Sequence, residues 1–318
     1  MHFYVVSRIM YIVYCIQSTW GDEMNQMRLK ALAKINLGLD VLRRKEDRYH
    51  DVKMIMQTIQ LHDQIHIQKI EEEEIRIRTN LYYLPNNENN LAYKAAKMLK
   101  DEFGLPGGIS INLKKMIPVA AGMAGGSSDA AAVLFGINKM YGLKLSMQEL
   151  MDRGVKLGAD VPYCIMRGTA LAEGIGEKLT KLPAMPKCHI LIAKPPINVS
   201  TKFVYENLHA NDLKAEDHPP VDAQIEALKE GDLEKLVANM GNVLERVTVP
   251  EYPVIREIKQ LMMENGALGA MMSGSGPTVF GIFTSYTKAK ETYEVIEKSG
   301  LSKQIYLTTP YIQKEENK

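Results

Sequence analysis

The chain has few cysteines, and their spacing fits neither a disulfide framework nor a metal site. The 318 residues include three, Cys15, Cys164 and Cys188, with no CxxC pair among them. An odd and widely spaced set is not the pattern of a small disulfide-stabilised domain or of a structural zinc site. We therefore interpret all three as buried or unreactive thiols, and we expect the protein to be cytoplasmic.

The chain also lacks an excess of charge of either sign. It carries 39 Lys and Arg residues against 38 Asp and Glu residues, which gives a formal net charge of +1. Proteins that are held on nucleic acid by their overall field are normally much more basic. We therefore expect no nucleic-acid partner, and any recognition of phosphate has to come from a local arrangement of residues.

Long apolar runs are missing except near the N-terminus. Residues 2–20 are apolar and aromatic but are interrupted by Arg8 and Gln17. The segment is short for a membrane span, and it lacks the basic leading region and the small-residue cleavage site of a signal peptide. We interpret residues 1–26 as an extension outside the fold, with Met24 or Met27 as the true start. A membrane-surface anchor is the alternative, although we expect no membrane partner.

The rest of the sequence mixes strands and helices. Residues 29–41 alternate apolar and mostly polar side chains, which predicts a half-buried strand with Lys34 and Asn36 side by side on its polar face. Apolar spacing predicts a helix over residues 91–103. Strands come first, and helices then mix with returning strands, which favours an α+β fold.

The length of the chain indicates two lobes rather than one core. We place the boundary near residue 183, which gives an N-terminal domain over 27–183 and a C-terminal domain over 184–318. Ser146 and Glu149 have the spacing of a capping box and predict the start of a further helix between them.

A loop rich in glycine and serine, PVAAGMAGGSSD at 118–129, is the strongest single feature. We expect its three glycines to adopt positive φ and to let the backbone approach a bulky anion, and either serine could cap the helix that follows. Free N–H groups at a helix start bind phosphate, although a tight turn before a packed helix is the simpler alternative. The residues of the predicted phosphate site are Pro118, Val119, Ala120, Ala121, Gly122, Met123, Ala124, Gly125, Gly126, Ser127 and Ser128.

A second glycine-serine loop, SGSGP at 273–277, lies between two apolar strands. A hairpin connection explains this loop equally well when it is taken alone. Together with the first loop it suggests two backbone clamps on one ligand. The residues concerned are Ser273, Gly274, Ser275 and Gly276.

Several polar residues allow both a functional and an ordinary interpretation. Lys34 could be a surface lysine on a solvated strand face, and Asp160, in LGADVP, could form a turn or cap a helix. Tyr49 and His50, in RYHD, could stack on and hydrogen-bond a flat heterocycle or form an ordinary surface turn. His62 and His66 could suggest a metal site, but they lie roughly 13 Å apart along a predicted strand, which is too far for both to bind one ion. No other metal ligands are evident in the sequence.

Taken together, these segments resemble the GHMP kinase superfamily. The match extends from residue 29 to about residue 308, and it combines three general motifs with two narrower ones. The narrower pair resembles the branch that acts on a cytidine diphosphate ester. In chain order the motifs are AKINLGLDV at 33–41, RYHDV at 48–52, PVAAGMAGGSSDAAA at 118–132, LGADVP at 157–162 and SGSGPTVF at 273–280.

The resemblance implies an ATP-dependent kinase that phosphorylates a tertiary hydroxyl on the methylerythritol part of a cytidine diphosphate ester. This reaction is a step of the non-mevalonate isoprenoid pathway, and Mg²⁺ is expected to accompany ATP. The implied fold has a ribosomal-S5-like N-terminal lobe, a ferredoxin-like C-terminal lobe and a cleft between them. The alternatives are another GHMP kinase of the homoserine or mevalonate type, or a ligand-binding relative without catalysis.

The resemblance also implies roles for individual residues. Lys34 and Asp160 would be the catalytic pair, in which the carboxylate accepts the proton of the attacking hydroxyl and a nearby ammonium keeps that carboxylate ionised. The oligomeric state and the metal ligands stay open. The remaining expectations are Asn36, Tyr49, His50, Thr201 and Tyr205 for the substrate ester, and Asn89 and Asn90 for the adenine pocket.

Overall fold

The computed structural model describes residues 24–47 and 49–313, so the apolar segment 2–20 and Arg48 lie outside the described residues. Two sheets with helices packed on them confirm the expected α+β class. The strands are β1 Gln26–Arg44, β2 His50–Ile70, β3 Ile75–Thr79, β4 Gly108–Lys114, β5 Thr169–Gly174, β6 Lys178–Lys181, β7 His189–Lys194, β8 Gly241–Asn242, β9 Gly269–Met272, β10 Val279–Phe283 and β11 Gln304–Thr308. The helices are α1 Leu91–Phe103, α2 Gly125–Met140, α3 Met147–Gly154, α4 Val161–Met166, α5 Thr201–Asn207, α6 Val221–Glu230, α7 Leu233–Ala238, α8 Glu245–Glu251, α9 Val254–Glu264 and α10 Tyr286–Ser299.

The larger sheet has seven strands and is organised around the long antiparallel pair β1 and β2. The order is β3-β4-β2-β1-β8, while β5 pairs with another stretch of β2 and β6 pairs with β5. Apolar side chains of this sheet pack with those of α1, α2 and α4 in one buried cluster. Two of these helices begin at loops that carry motifs, so this packing fixes where the loops lie.

The smaller sheet has four antiparallel strands in the order β11-β7-β10-β9. Helix α9 precedes β9, and α10 connects β10 to β11. A strand–helix–strand–strand–helix–strand sequence with this spatial order is the ferredoxin-like arrangement that we expected for the C-terminal half. The second glycine-serine loop connects β9 to β10 and therefore lies at one end of this sheet.

The predicted boundary between the two halves falls between the sheets, but one short strand crosses from one half to the other. β6 ends at Lys181 and β7 begins at His189, so the segment that connects the two sheets includes residue 183. However, β8 lies in the C-terminal half and pairs in parallel with β1, where Gly241 is opposite Gly38. The division into 27–183 and 184–318 stays a prediction, and the pairing of β8 indicates that the two halves do not separate freely.

β1 is not the half-buried strand that the alternation predicts. Residues 31–41 are all buried, because the strand has one face on the helices and another on the smaller sheet. The pairing with β2 shifts register between Leu32 and Lys34 and again between Asn36 and Gly38. Irregularities of this kind change the face to which side chains point. The two shifts turn the short segment that contains Lys34 and Asn36 toward the cleft.

Among the described residues, no helix is both long enough and apolar enough to cross a membrane. The cysteines within the described ranges, Cys164 and Cys188, are buried free thiols. Burial raises the pKa of the Cys188 thiol to about 12, so it is protonated at neutral pH and unreactive.

Candidate active site

A cavity of about 710 Å³ opens between the two lobes. Its wall combines β1, the start of β2, both glycine-serine loops, the turn before α4 and the start of α5. Of the residues predicted from the sequence, Ser128, Ser273 and Gly276 do not line it. Those that do are Lys34, Asn36, Tyr49, His50, Asn89, Asn90, Pro118, Val119, Ala120, Ala121, Gly122, Met123, Ala124, Gly125, Gly126, Ser127, Asp160, Thr201, Tyr205, Gly274 and Ser275.

Lys34 is a buried lysine in the cavity wall, so the interpretation as a surface lysine is wrong. Its side chain is only 5% exposed, and Asn36 next to it is fully buried. The Nζ atom donates a hydrogen bond to Asn36 Oδ1 at 2.7 Å, while Asn36 Nδ2 contacts Met54 Sδ at 3.3 Å. An ammonium has three donors. One is used to orient Lys34, and two remain for a ligand in the cavity.

Asp160 occupies the cap position of α4, but its side chain forms no capping hydrogen bond. The capping alternative therefore does not explain this residue, and its carboxylate lines the cavity instead. Within the described ranges, no ion pair shorter than 4.0 Å joins Asp160 to Lys34. Burial raises the pKa of the Cys164 thiol, with smaller and opposite effects of the charges of Asp160 and Lys34. Lys34 and Asp160 line the same cavity.

The glycine loop differs in detail from the expectation. Positive φ occurs at Gly122 (70°), as predicted, and also at Ala120 (50°) and Ala124 (54°). Gly125 and Gly126 have helical backbone, because they form the first turn of α2. A Cβ on Gly125 would lie 3.2 Å from both Ile117 Cγ2 and Lys115 Nζ, so a larger residue here would have to displace these side chains slightly, and no positive φ is involved.

Neither serine caps α2, which corrects the second expectation for this loop. The helix begins at Gly125 without a side-chain capping hydrogen bond. Ser128 instead donates its hydroxyl to the carbonyl oxygen of Leu32 at 2.7 Å and ties the helix to β1. The first N–H groups of a helix have no partner within the helix. In α2 they adjoin the cavity, where the helix dipole favours an anion.

The two glycine-serine loops are in direct contact. Ser273 donates its hydroxyl to the carbonyl oxygen of Gly122 at 3.0 Å, and the hydroxyls of Thr201 and Ser275 lie 2.8 Å apart. Asn242, which the sequence did not single out, donates to the carbonyl oxygen of Gly274 at 2.8 Å. Ser273 does not line the cavity but connects the two loops, and Asn242 holds the second loop in place. The loop between β9 and β10 is thereby fixed beside the first glycine-serine loop.

Aromatic residues form the other end of the cavity. The rings of His50 and Tyr205 lie 5.0 Å apart at an angle of 49°, and Tyr49 beside them is 60% exposed. Burial, with a smaller effect of the Arg44 charge, lowers the pKa of His50, so the imidazole is neutral at neutral pH. His50 Nε2 is buried without a hydrogen-bond partner, and this atom is available to a ligand. Burial and the charge of Asp160 raise the pKa of Tyr205.

A buried charged cluster beneath the glycine loop was missed in the sequence. Lys115 Nζ contacts a carboxylate oxygen of Asp63 and, at 2.7 Å, Asp129 Oδ2. Burial lowers the pKa of Lys115, but the two carboxylates outweigh it and raise that pKa overall. Burial raises the pKa of Asp129 against the opposing charge of Lys115. Asp129 Oδ1 is buried and has no hydrogen-bond partner.

The two asparagines predicted for the adenine pocket differ in whether their side chains form hydrogen bonds within the protein. Asn90 caps α1 by accepting from the backbone N–H of Ala92 at 2.9 Å, and its amide donates to the carbonyl oxygen of Pro85 at 3.0 Å. Asn89 is exposed at the mouth of the cavity. Asn90 therefore shapes the pocket, while Asn89 has the freer side chain.

Comparisons with known proteins agree with the fold and the motifs. The sequence matches the family descriptions "GHMP kinases N terminal domain" over residues 90–168 and "GHMP kinases C terminal" over residues 224–301. The fold is similar to a crystal structure of 4-(cytidine 5'-diphospho)-2C-methyl-D-erythritol kinase, with a TM-score of 0.77 and 31% identity over 90% of this chain and 100% of that chain. Homoserine kinase from Cytophaga hutchinsonii shares the fold at a TM-score of 0.75 and 20% identity, over 92% of this chain and 97% of that chain.

Two named relatives are similar to this chain along nearly their whole length. The 4-diphosphocytidyl-2-C-methyl-D-erythritol kinase of Lachnospira eligens is 59% identical over 288 residues, which cover 91% of this chain and 99% of the relative. The kinase of the same name from Lachnoclostridium phytofermentans is 52% identical over 285 residues, which cover 90% of this chain and 97% of the relative. The chain therefore belongs to the GHMP kinases and, within them, to the family of 4-diphosphocytidyl-2-C-methyl-D-erythritol kinases.

Proposed function

We propose that the chain transfers the γ-phosphoryl group of ATP to the tertiary hydroxyl of 4-diphosphocytidyl-2-C-methyl-D-erythritol, a step in the non-mevalonate synthesis of isoprenoid precursors. One observation supports this function above the others. A single cavity has a glycine loop at the start of a helix at one end, an aromatic group at the other, and Lys34 and Asp160 between them. Such a cavity can hold a polyphosphate and a flat base with a hydroxyl in the middle.

Asp160 is the proposed acceptor for the proton of the attacking hydroxyl. As the oxygen attacks the γ-phosphorus, the O–H bond breaks and the proton passes to the carboxylate, while the bond from phosphorus to the leaving oxygen of ADP breaks. A positioned carboxylate commonly accelerates such steps by about 10²–10⁴. In phosphoryl transfer the same carboxylate can act chiefly by orienting the nucleophile.

Lys34 is proposed to stabilise the charge on the transferring phosphoryl group. Its ammonium is buried and held by Asn36, so it is already in place before the charge develops. A fixed charge in a site that excludes water acts more strongly than one that must first reorganise. Lys34 and Asp160 line the same cavity, and we propose that the reacting hydroxyl lies between them.

The aromatic end of the cavity is proposed to hold the cytosine. Tyr49 and Tyr205 offer ring faces, and the neutral imidazole of His50 has an unpartnered Nε2 that can bond the edge of the base. Thr201 also lines the cavity and stays a proposed substrate contact, while its hydroxyl, 2.8 Å from that of Ser275, joins the start of α5 to the second loop. The opposite end, with the free N–H groups of α2, is proposed to hold the phosphates of ATP.

We propose that Mg²⁺ enters with ATP rather than in a site built by the protein alone. No group of three or more His, Cys, Asp or Glu side chains suited to a metal ion occurs within residues 24–47 and 49–313. Mg²⁺ commonly binds through one or two carboxylates together with substrate phosphates and water. Asp129 fits this role, because its buried Oδ1 is unpartnered and the residue lines the cavity beside the glycine loop. Bound there, Mg²⁺ would neutralise part of the phosphate charge.

A substrate panel tests the proposed function. Purified protein is incubated with ATP and, in separate reactions, with the cytidine diphosphate ester, homoserine or mevalonate, and release of ADP is followed. We expect release to depend on the cytidine ester alone. Turnover with homoserine or mevalonate would move the chain to another kinase of the superfamily, and no turnover with any acceptor would favour a ligand-binding relative.

A further inference from the structure

A second cavity, of about 580 Å³, lies on the outer face of the larger sheet. We call it the basic groove and define it by the cations Arg28, Lys30, Arg78 and Lys114 and the β2 residues His62, Gln64 and His66. It borders the active-site cavity at Leu113, which lines both, but the two cavities share no charged side chain. Lys114 lines the groove, whereas Lys115 next to it is buried beneath the glycine loop.

The strand register places these side chains in rows across four strands. Arg28 on β1 is opposite His66 on β2, His66 is opposite Asn112 on β4, and Asn112 is opposite Arg78 on β3. In the next row, Lys30 is opposite Gln64 and Gln64 is opposite Lys114. The cations therefore lie on β1 at one side and on β3 and β4 at the other, with hydrogen-bonding side chains on β2 between them.

The groove carries a local excess of positive charge. Within the described part of the chain, none of the four cations takes part in an ion pair shorter than 4.0 Å, and no Asp or Glu lines the groove. The net charge of the whole chain is only +1, so this local excess is balanced by acidic residues elsewhere. Like charges on neighbouring strands repel one another. A bound anion would remove that repulsion.

The size of the groove limits what the anion can be. With strands about 4.8 Å apart and about 3.3 Å between residues, four strands span roughly 14 Å and the stretch from His66 to His62 about 13 Å, so the groove residues cover at most a patch of this size. A stable protein interface buries about 800 Å² on each partner, and a single nucleic-acid-binding module buries about 600–1,000 Å². The patch is several times smaller than either. Its volume and spread of charge instead match a small molecule with several phosphate groups.

We infer that the basic groove is a second binding site for a small polyphosphorylated anion, outside the active site. The cations on β1 hold one end of the anion and those on β3 and β4 hold the other. Gln64 on β2 offers its amide N–H groups beneath it, whereas His62 Nδ1 and His66 Nε2 already face the carbonyl oxygen of Gln60 and Gln26 Oε1. This inference does not depend on the proposed function, because the active site and the groove share no side chain that carries charge.

Titration calorimetry with inorganic triphosphate at low ionic strength tests the inference. We expect the full chain to bind two triphosphates, one in the active site and one in the groove. The double variant Lys30→Gln/Lys114→Gln should weaken the second site by about 10-fold, since each lost charge contact contributes modestly at an exposed position. Its rate of turnover should match that of the parent, because neither lysine lines the active site.

Controls separate the groove from general electrostatics and from other ligands. Lys290→Gln/Lys303→Gln removes the same charge from exposed positions in the smaller lobe and should leave both triphosphate sites unchanged. An equal loss in this control, or triphosphate binding that Lys30→Gln/Lys114→Gln leaves unchanged, would overturn the inference. Binding of a single-stranded decanucleotide without binding of triphosphate would also overturn it, in favour of a nucleic-acid surface. Parallel titrations with nucleoside triphosphate and with diphosphate identify which source of phosphate the groove prefers.

Discussion

Gly122→Ala tests most sharply how the two glycine-serine loops form one site. Gly122 has a φ of 70°, and a Cβ at this position would lie 2.2 Å from the carbonyl oxygen of Ser273 and 3.1 Å from its carbonyl carbon. The atoms in the way are backbone, so a rotamer change cannot relieve the clash. The loops have to move apart, and the hydrogen bond from the Ser273 hydroxyl to Gly122 would then be lost.

The expected cost of this substitution combines two effects. A left-handed conformation costs a residue with a Cβ about 1–2 kcal/mol, and loss of the hydrogen bond costs about 1 kcal/mol. With the remaining strain, we expect the free energy of unfolding to fall by about 2–4 kcal/mol. Gly142→Ala is a matched control, because Gly142 has a φ of 62° but no atom within 4 Å of the added Cβ. This control should lose only the conformational cost of about 1–2 kcal/mol.

Urea unfolding followed by circular dichroism measures both variants, and initial rates give KM for ATP. We expect Gly122→Ala to lose more stability than Gly142→Ala and to show a raised KM for ATP, since the displaced loop no longer presents its N–H groups. Equal losses of stability in the two variants, with the KM for ATP of the parent in both, would refute the account of the paired loops.

Three further predictions concern single side chains of the site. Asp160→Asn keeps the shape of the side chain but removes the proton acceptor, so kcat should fall by about 10²–10⁴. Lys34→Met should also lower kcat. In the double variant the loss of kcat should be smaller than the product of the two single losses, because both residues act in the same step. Near-parental kcat in Asp160→Asn would exclude its role as a base. Tyr49→Ala and His50→Ala should raise KM for the cytidine substrate by an amount equivalent to about 1–3 kcal/mol and spare KM for ATP, and equal effects on both substrates would contradict the assignment. Lys115→Met leaves two buried carboxylates uncompensated, so urea unfolding should show a loss of about 3–5 kcal/mol, whereas unchanged stability would mean that the cluster tolerates the unpaired charges.

Local signals in the sequence predicted local structure well. Helix α1 spans 91–103 as its apolar spacing indicates, and Gly104 ends it in a left-handed conformation. Ser146 and Glu149 form the predicted capping box at the start of α3. These features depend on residues a few positions apart, so the pattern contains all the information that determines them.

The burial of β1 could not be predicted from its alternation. The strand is covered on both sides, because the smaller sheet, formed more than 140 residues later in the chain, packs on the face that alternation leaves to solvent. The two register shifts that turn Lys34 toward the cleft arise from pairing with β2. Neither cause has a signal in the residues of the strand itself.

The candidate site was predicted where motifs mark it and missed where long-range contacts build it. The motif residues meet around one cavity, but the cluster of Asp63, Lys115 and Asp129 combines three segments that no pattern connects. Asn242 belongs to a two-residue strand and supports the second loop from a distant part of the chain. The glycine loop was predicted with the wrong conformation at two positions, because the helix begins earlier than its serines suggest.

Phosphorus NMR of the reaction mixture tests the central claim most directly. Protein, ATP, Mg²⁺ and the cytidine diphosphate ester are combined, and the phosphorus resonances are followed until ATP is consumed. The account predicts a single new phosphomonoester resonance, whose intensity corresponds to one phosphomonoester for each ADP formed. Both phosphorus resonances of the diphosphate bridge should be retained. Conversion of ATP to ADP and inorganic phosphate without a phosphomonoester, or cleavage of the diphosphate bridge, would contradict phosphoryl transfer to the hydroxyl in this cavity.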